Sequence, residues 1–345
     1  MLATAVVGTA LLASACGSSS SKATGGSSGA ATLKNVNVIA SQASVPGLPL
    51  WVAKEQGFFE KHGIKPNFIT GVTSGSAILS AVVSGSADVV TQTTSAAATA
   101  FQAGSRLTMV APNTRGVAYN LVVSSKLSNV PVATSGPNGW QATIKALKGT
   151  VISASGAGSA FDQILTAMFT EAGLSKNDYT NLSIAHGGPE IAAMKTGQAD
   201  VDMVDFGNTG SVLQQAGGRV VMTLTLQGPS AVTNMAWSGF FATADYVAKH
   251  PEIVSEFQGV VDDTRKFMQD PKNKDAIHAV AIGAAQIPAD TPGLDDAIAK
   301  TAGLMQTTFK TSDVQQTLDF LQQYGGIKPS PIVKPSDIIA AKLLT

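Results

Sequence analysis

Two stretches of small residues and hydroxyls stand where free backbone N–H groups could meet an oxyanion: Gly71-Val72-Thr73-Ser74-Gly75-Ser76 and Ser155-Gly156-Ala157-Gly158-Ser159. Each precedes a helical pattern. The first N–H groups of a helix have no intrahelical partner, and the helix dipole favours negative charge there. Ordinary Ser/Thr capping would use the same residues. Two further runs, Thr91-Gln92-Thr93-Thr94-Ser95 and Asp205-Phe206-Gly207-Asn208, offer hydrogen-bonding side chains with little charge. Arg115 is the best lone cation for an anion, with a surface hinge arginine as the equal alternative. His186 and Gly188, in the run His186-Gly187-Gly188-Pro189-Glu190, are candidates for one more ligand hydrogen bond, a plain loop being the other choice. Ser44, Pro46 and Gly47 belong to Ser41-Gln42-Ala43-Ser44-Val45-Pro46-Gly47-Leu48, and Trp51 follows. Its aromatic face could stack on a planar ligand or pack a helix on a sheet.

Other chemistries find little support. Gly156-Ala157-Gly158-Ser159-Ala160-Phe161 begins like a dinucleotide fingerprint but lacks the third glycine, and neither a phosphate-cradling P-loop nor a Gly-x-Ser-x-Gly nucleophile turn occurs. The histidines His62, His186, His250 and His278 are far apart, without ligand-spaced partners, so no metal or cofactor is expected. Lys plus Arg and Asp plus Glu each total 23. With no basic run to neutralise a row of phosphates, nucleic acid is excluded as an expected partner.

The elements that must position these residues read as βαβ units. Val36–Ala40 is a first strand, Pro49–Phe59 a helix closed near Gly57, Lys65–Ile69 a second strand, Ser76–Ser84 a helix and Ala87–Val90 a third strand. Downstream, Thr150–Ser153 precedes a helix over Ser159–Ala172, closed at Gly173. Two helix-to-strand junctions repeat: Gly85-Ser86-Ala87-Asp88-Val89 parallels Gly197-Gln198-Ala199-Asp200-Val201. Each glycine should end its helix in a left-handed turn, and each aspartate should begin a buried strand aimed at the cleft edge. The 345 residues exceed one typical domain, and the repeated order favours two similar lobes. Tyr119–Val123 and Ser238–Ala242 are the candidate crossings, giving lobe 1 as 33–118 plus 243–345 and lobe 2 as 119–242. The predicted fold class is α/β, two lobes each with a mostly parallel sheet flanked by helices and a ligand cleft between them. In such sheets ligands bind beyond the carboxyl ends of the strands.

The N-terminal residues 2–15 are uncharged and mostly apolar but short of the roughly 20 residues that span a bilayer, which predicts a signal peptide over 1–15. Leu12-Ala13-Ser14-Ala15-Cys16 resembles a bacterial lipobox, and the Ser/Gly run over 16–32 reads as a flexible tether behind a lipidated Cys16.

Three segments in order carry a wider resemblance. Gly57-Phe58-Phe59-Glu60-Lys61-His62-Gly63-Ile64, the Gly85–Val89 junction and Ala146-Leu147-Lys148-Gly149-Thr150-Val151-Ile152 resemble the solute-binding components of ABC importers for sulfonates, taurine, nitrate and thiamine-pyrimidine precursors. The resemblance runs from about Asn37 to Tyr324. It implies a type II periplasmic-binding-protein fold that closes on a small-molecule ligand. It also implies a monomeric, exported protein on the extracytoplasmic face of the cell membrane, with a permease and ATPase complex as partners. The ligand it implies is a sulfonate- or taurine-like anion or a thiamine-pyrimidine-precursor-like heterocycle. The alternatives are an envelope ligand sensor and an enzyme like the eukaryotic pyrimidine-precursor synthases. The latter rely on a cysteine-rich motif, whereas Cys16 is the only cysteine here. If Cys16 carries lipid, expressing bacteria fed a clickable fatty acid should label the wild-type chain and not Cys16→Ser. Equal, background-level labelling of both would refute the anchor.

Overall fold

The computed structural model describes residues 33–345 apart from 73, 157 and 185–187. The expected signal peptide, Cys16 with its tether, Thr73 and His186 lie outside the described residues. Ten strands form: β1 (Lys34–Ile39), β2 (Ile64–Ile69), β3 (Val89–Thr93), β4 (Leu107–Arg115), β5 (Tyr119–Val123), β6 (Val151–Ala154), β7 (Thr180–Ser183), β8 (Val201–Asp205), β9 (Arg219–Thr223) and β10 (Ala236–Thr243). Helices of eight or more residues are α1 (Leu48–Glu55), α2 (Gly75–Val83), α3 (Thr94–Gln102), α4 (Ala160–Glu171), α5 (Gly188–Thr196), α6 (Phe206–Ala216), α7 (Ile253–Gln269), α8 (Lys274–Ile282), α9 (Leu294–Leu304) and α10 (Thr311–Gln323). The strands make two five-stranded sheets, ordered β2-β1-β3-β10-β4 and β7-β6-β8-β5-β9. Val36, Val38, Val89, Val90, Val201 and Met203 are fully buried, as strands covered by helices on both faces require.

The two sheets share one plan. In the first, β2, β1 and β3 are parallel, while β10 runs antiparallel to both β3 and β4. In the second, β7, β6 and β8 are parallel, while β5 runs antiparallel to β8 and β9. Each sheet therefore has four strands in one direction and one reversed strand, and the reversed strand is the one that has just arrived from the other lobe. This corrects the expected crossings. Tyr119–Val123 and Ser238–Ala242 are sheet strands, and the chain crosses at 116–118 and 224–235. Hydrogen bonding of β10 between β3 and β4 places it in the first sheet, so the second sheet ends at β9 rather than at residue 242.

The repeated junctions are the clearest case of sequence dictating structure. Gly85 and Gly197 both take the left-handed φ of 77° that ends a helix without a Cβ clash. Three residues on, Asp88 Oδ2 accepts the Asn37 backbone N–H at 2.7 Å, and Asp200 Oδ2 accepts that of Val151 at 3.0 Å. The aspartates also donate their own backbone N–H groups to Asn37 and Val151 carbonyls, at 2.9 and 2.8 Å. Each carboxylate thus pins the amino end of one strand to its neighbour. The strand that each aspartate begins runs from this pinned end to the cleft, where Thr91 and Asp205 line the cavities. Asp200→Ala should lose the side-chain half of this clasp and cost about 1–3 kcal/mol of stability. Urea unfolding should show a lower midpoint at unchanged slope, and an unchanged midpoint would contradict the pinning role.

Candidate functional site

At the carboxyl ends of the strands the two lobes face each other across a cavity of about 470 Å³. Lobe 1 contributes Ala43, Ser44, Val45 and Pro46 together with Ile287, Pro288 and Thr291. Tyr119, Gly188, Asp205, Gly207, Asn208 and Ser211 come from lobe 2. A smaller hollow of about 120 Å³ shares Ser44 and Pro46 and adds Gly47 and Thr91. The loop Ser41–Gly47 is held in place by two bonds: Ala43 N–H donates to the Ala285 carbonyl at 2.7 Å, and the Trp51 indole N–H donates to the Ser41 carbonyl at 2.8 Å. Gly47 is required there, since a Cβ would sit 2.7 Å from the Ser41 oxygen.

On the facing lobe, Asp205 is the last residue of β8 and the N-cap of α6. Its Oδ1 accepts from Gly207 N at 2.8 Å and Asn208 N at 3.1 Å, and its Oδ2 from Asn208 Nδ2 at 2.7 Å. Tyr119 is its direct partner in the antiparallel β5–β8 register. Burial, and then the negative charges of Asp205, Glu190 and Asp202, hold the Tyr119 phenol well above its ordinary pKa, so the hydroxyl stays neutral. Tyr119 stacks at a tilt on Phe161 (4.6 Å between centroids), and Phe161 meets Trp237 edge-on at 5.4 Å. Trp237 belongs to β10 in the first sheet and Phe161 to α4 on the second lobe, so this aromatic cluster bridges the lobes.

The lobes touch closely elsewhere too. A Cβ on Gly207 would lie 2.8 Å from Val45 Cγ2, and one on Gly210 only 1.9 Å from the Pro292 carbonyl oxygen. On another face, Tyr324 donates its hydroxyl to Glu171 Oε1 at 3.1 Å. Burial and the Glu171 charge push that phenol up to about 12.

A sequence profile of the family described as NMT1/THI5 like matches residues 47–274. The chain belongs to the NMT1/THI5-like family. Its structure is similar to the aliphatic sulfonate-binding protein SsuA of Escherichia coli, with a TM-score of 0.69 at 16% identity over 88% of this chain and 97% of the other. The alkanesulfonate-binding SsuA of Xanthomonas axonopodis pv. citri, solved with MOPS bound, gives 0.64 at 17% identity over 90% and 98%. The nitrate-binding NrtA of Synechocystis PCC 6803 gives 0.71 at 14% identity over 90% and 87%. These likenesses establish the periplasmic-binding-protein fold. No curated protein matches the sequence.

In this NMT1/THI5-like chain the cavities gather Ser44, Pro46, Gly47, Thr91, Gly188, Asp205 and Asn208 from among the sequence-predicted residues. Others are placed differently. Trp51 is 6% exposed and meets Phe68 edge-on at 5.0 Å, so it packs helix on sheet and braces the first loop instead of walling a ligand. Ser74, Gly75 and Ser76 are exposed, with Ser74 Oγ capping Ala77 N at 3.2 Å. Gln92 Nε2 donates to the Gly75 carbonyl at 3.1 Å, and Thr93 caps α3. Ser155 and Gly156 lead into a loop that closes on itself: Ser159 Oγ caps Asp162 N, and Asp162 Oδ2 takes the Gly158 N–H at 2.9 Å. The expected anion-binding amide at Gly158 is therefore filled by the chain's own carboxylate. Arg115 is not free for an anion either, since its Nε donates to Asp313 Oδ2 at 2.9 Å. No sequence signal marked Phe161 and Trp237 as the aromatic neighbours of Tyr119. Tyr119, at the start of a strand beside a crossing, was the one position where strand order could have pointed to them.

No group of three or more His, Cys, Asp or Glu side chains among the described residues could hold a metal ion. Because Gly210 has no room for a Cβ against Pro292, Gly210→Ala should hold the lobes apart while favouring the α6 helix itself by about 1 kcal/mol. Scattering should give a larger radius of gyration with unchanged helicity. An unaltered radius would mean the lobe contact is not tight.

Proposed function

We propose that the chain is the solute-binding component of an ABC importer, exported and anchored by lipid at Cys16, which captures a small organic solute by lobe closure and delivers it to a permease. One observation carries this: the 470 Å³ cavity receives side chains from both lobes at the carboxyl edges of their sheets, where open α/β sheets bind ligands. Two lobes joined by short crossings form a hinge, and a ligand that contacts both has more contacts in the closed state, which is what drives closure. Membership of the NMT1/THI5-like family and the binding roles of the similar structures support the same direction. Among the described residues no helix is long and apolar enough to cross a membrane, in keeping with attachment through the N-terminal segment.

A metabolite panel tests the proposal by thermal melting. A ligand at a hundred times its Kd should add about 2.7 kcal/mol of stability. The stabilising solute should also reduce the radius of gyration. Stabilisation by none of the panel, with the radius unchanged throughout, would overturn solute capture.

A further inference from the structure

The charge and aromatic content of the cleft bear on its occupant, given the solute-binding function proposed above. Among the described residues lining the cavity, Asp205 is the one acidic side chain, and neither Lys nor Arg is among them. It is 5% exposed, and its partners are the Gly207 and Asn208 backbone N–H groups and the Asn208 amide, all neutral. Glu190 and Asp202, both fully buried, add to the negative potential at Tyr119. The nearby cations are committed elsewhere: Arg115 to Asp313, and Lys300 to Asp296 at 2.7 Å. An oxyanion at the start of α6 would have to displace the Asp205 carboxylate from its amides or lie against it, and like charges close together in a desolvated cleft repel strongly. A cation meets the opposite situation, with a buried carboxylate and, beside it in the cavity wall, the ring of its strand partner Tyr119.

We propose that the cleft takes a flat organic cation, an amidinium or ammonium group borne on an aromatic or apolar body. The charged group sits at Asp205 and the body lies against the Tyr119 ring, which Phe161 and Trp237 back from behind. Ser44, Asn208 and Ser211 complete the polar wall.

Three probes that share a benzene ring and differ in charge decide the matter by calorimetry: benzamidine, benzamide and benzenesulfonate. Wild-type protein should bind the benzamidinium cation at least about tenfold more tightly than benzamide, and benzenesulfonate most weakly. Asp205→Asn keeps a side chain that caps α6 as well as Asp does, and it should weaken benzamidinium binding about tenfold or more while leaving benzamide within about twofold. If benzamide or benzenesulfonate binds as tightly as benzamidinium, or if benzamidinium does not bind, the cation proposal is overturned. Binding of the neutral or anionic probe with a fall in the radius of gyration would leave solute capture standing. Should Asp205→Asn fail to fold, the ranking of the three probes on the wild type still decides.

Discussion

The Gly116 N–H donates to the Met235 carbonyl at 2.7 Å and the Leu224 N–H to that of Tyr119 at 3.0 Å, so the two chain crossings are bonded at either end into one short antiparallel ribbon. Gly116 has a left-handed φ of 80°, and a Cβ there would lie 2.9 Å from the Thr233 oxygen. No other residue fits this spot without moving the second crossing. The reversed strands β5 and β10 continue out of this ribbon into opposite sheets, which is why each sheet has one strand against the grain. The position of Tyr119 in the cavity wall follows from it, as does its contact with Trp237, since each stands at or near the first residue of a reversed strand.

The two lobes match in topology and differ in charge. Thr93 and Asp205 occupy equivalent places, each ending the third strand of its sheet and capping the helix that follows. A hydroxyl satisfies one N–H on the first lobe, whereas a carboxylate satisfies two on the second. Ser74 and Ser159 cap the other helix starts in the same way. A helix start attracts negative charge only while its donors are unfilled. Here the chain fills some of them itself, and on the second lobe it does so with a full charge from Asp205, while Asp162 takes the Gly158 N–H.

Element order, the two-lobed plan and the paired junctions were legible in the sequence because each depends on local signals: left-handed glycines, an aspartate at a fixed offset, and short apolar runs between amphipathic ones. The helix after the first strand was expected over Pro49–Phe59 and is instead α1, ending at Glu55, with Gly57 starting a separate turn. The site was legible in part. Ser44, Thr91 and Asp205 lie on loops or strand ends whose place follows from strand order. Trp51 and Arg115 each had two readings in the sequence, because their partners, Phe68 and Ser41 for one and Asp313 for the other, are fixed by tertiary packing that no local pattern encodes. Phe161 and Trp237 come together only because the crossings bring helix α4 of one lobe against strand β10 of the other.

The three tryptophans occupy unlike surroundings. Trp51 lies under Phe68 with Lys54 above its ring, and Trp140 is 1% exposed with its indole N–H on the Pro137 carbonyl. Both are fixed within a single lobe. Trp237 alone has an aromatic neighbour on the opposite lobe, Phe161, with Tyr119 6.4 Å away. Its emission, and energy transfer to it from the Tyr119 phenol, therefore depend on how near the lobes stand. The molecule carries its own optical gauge of opening, readable without any attached dye.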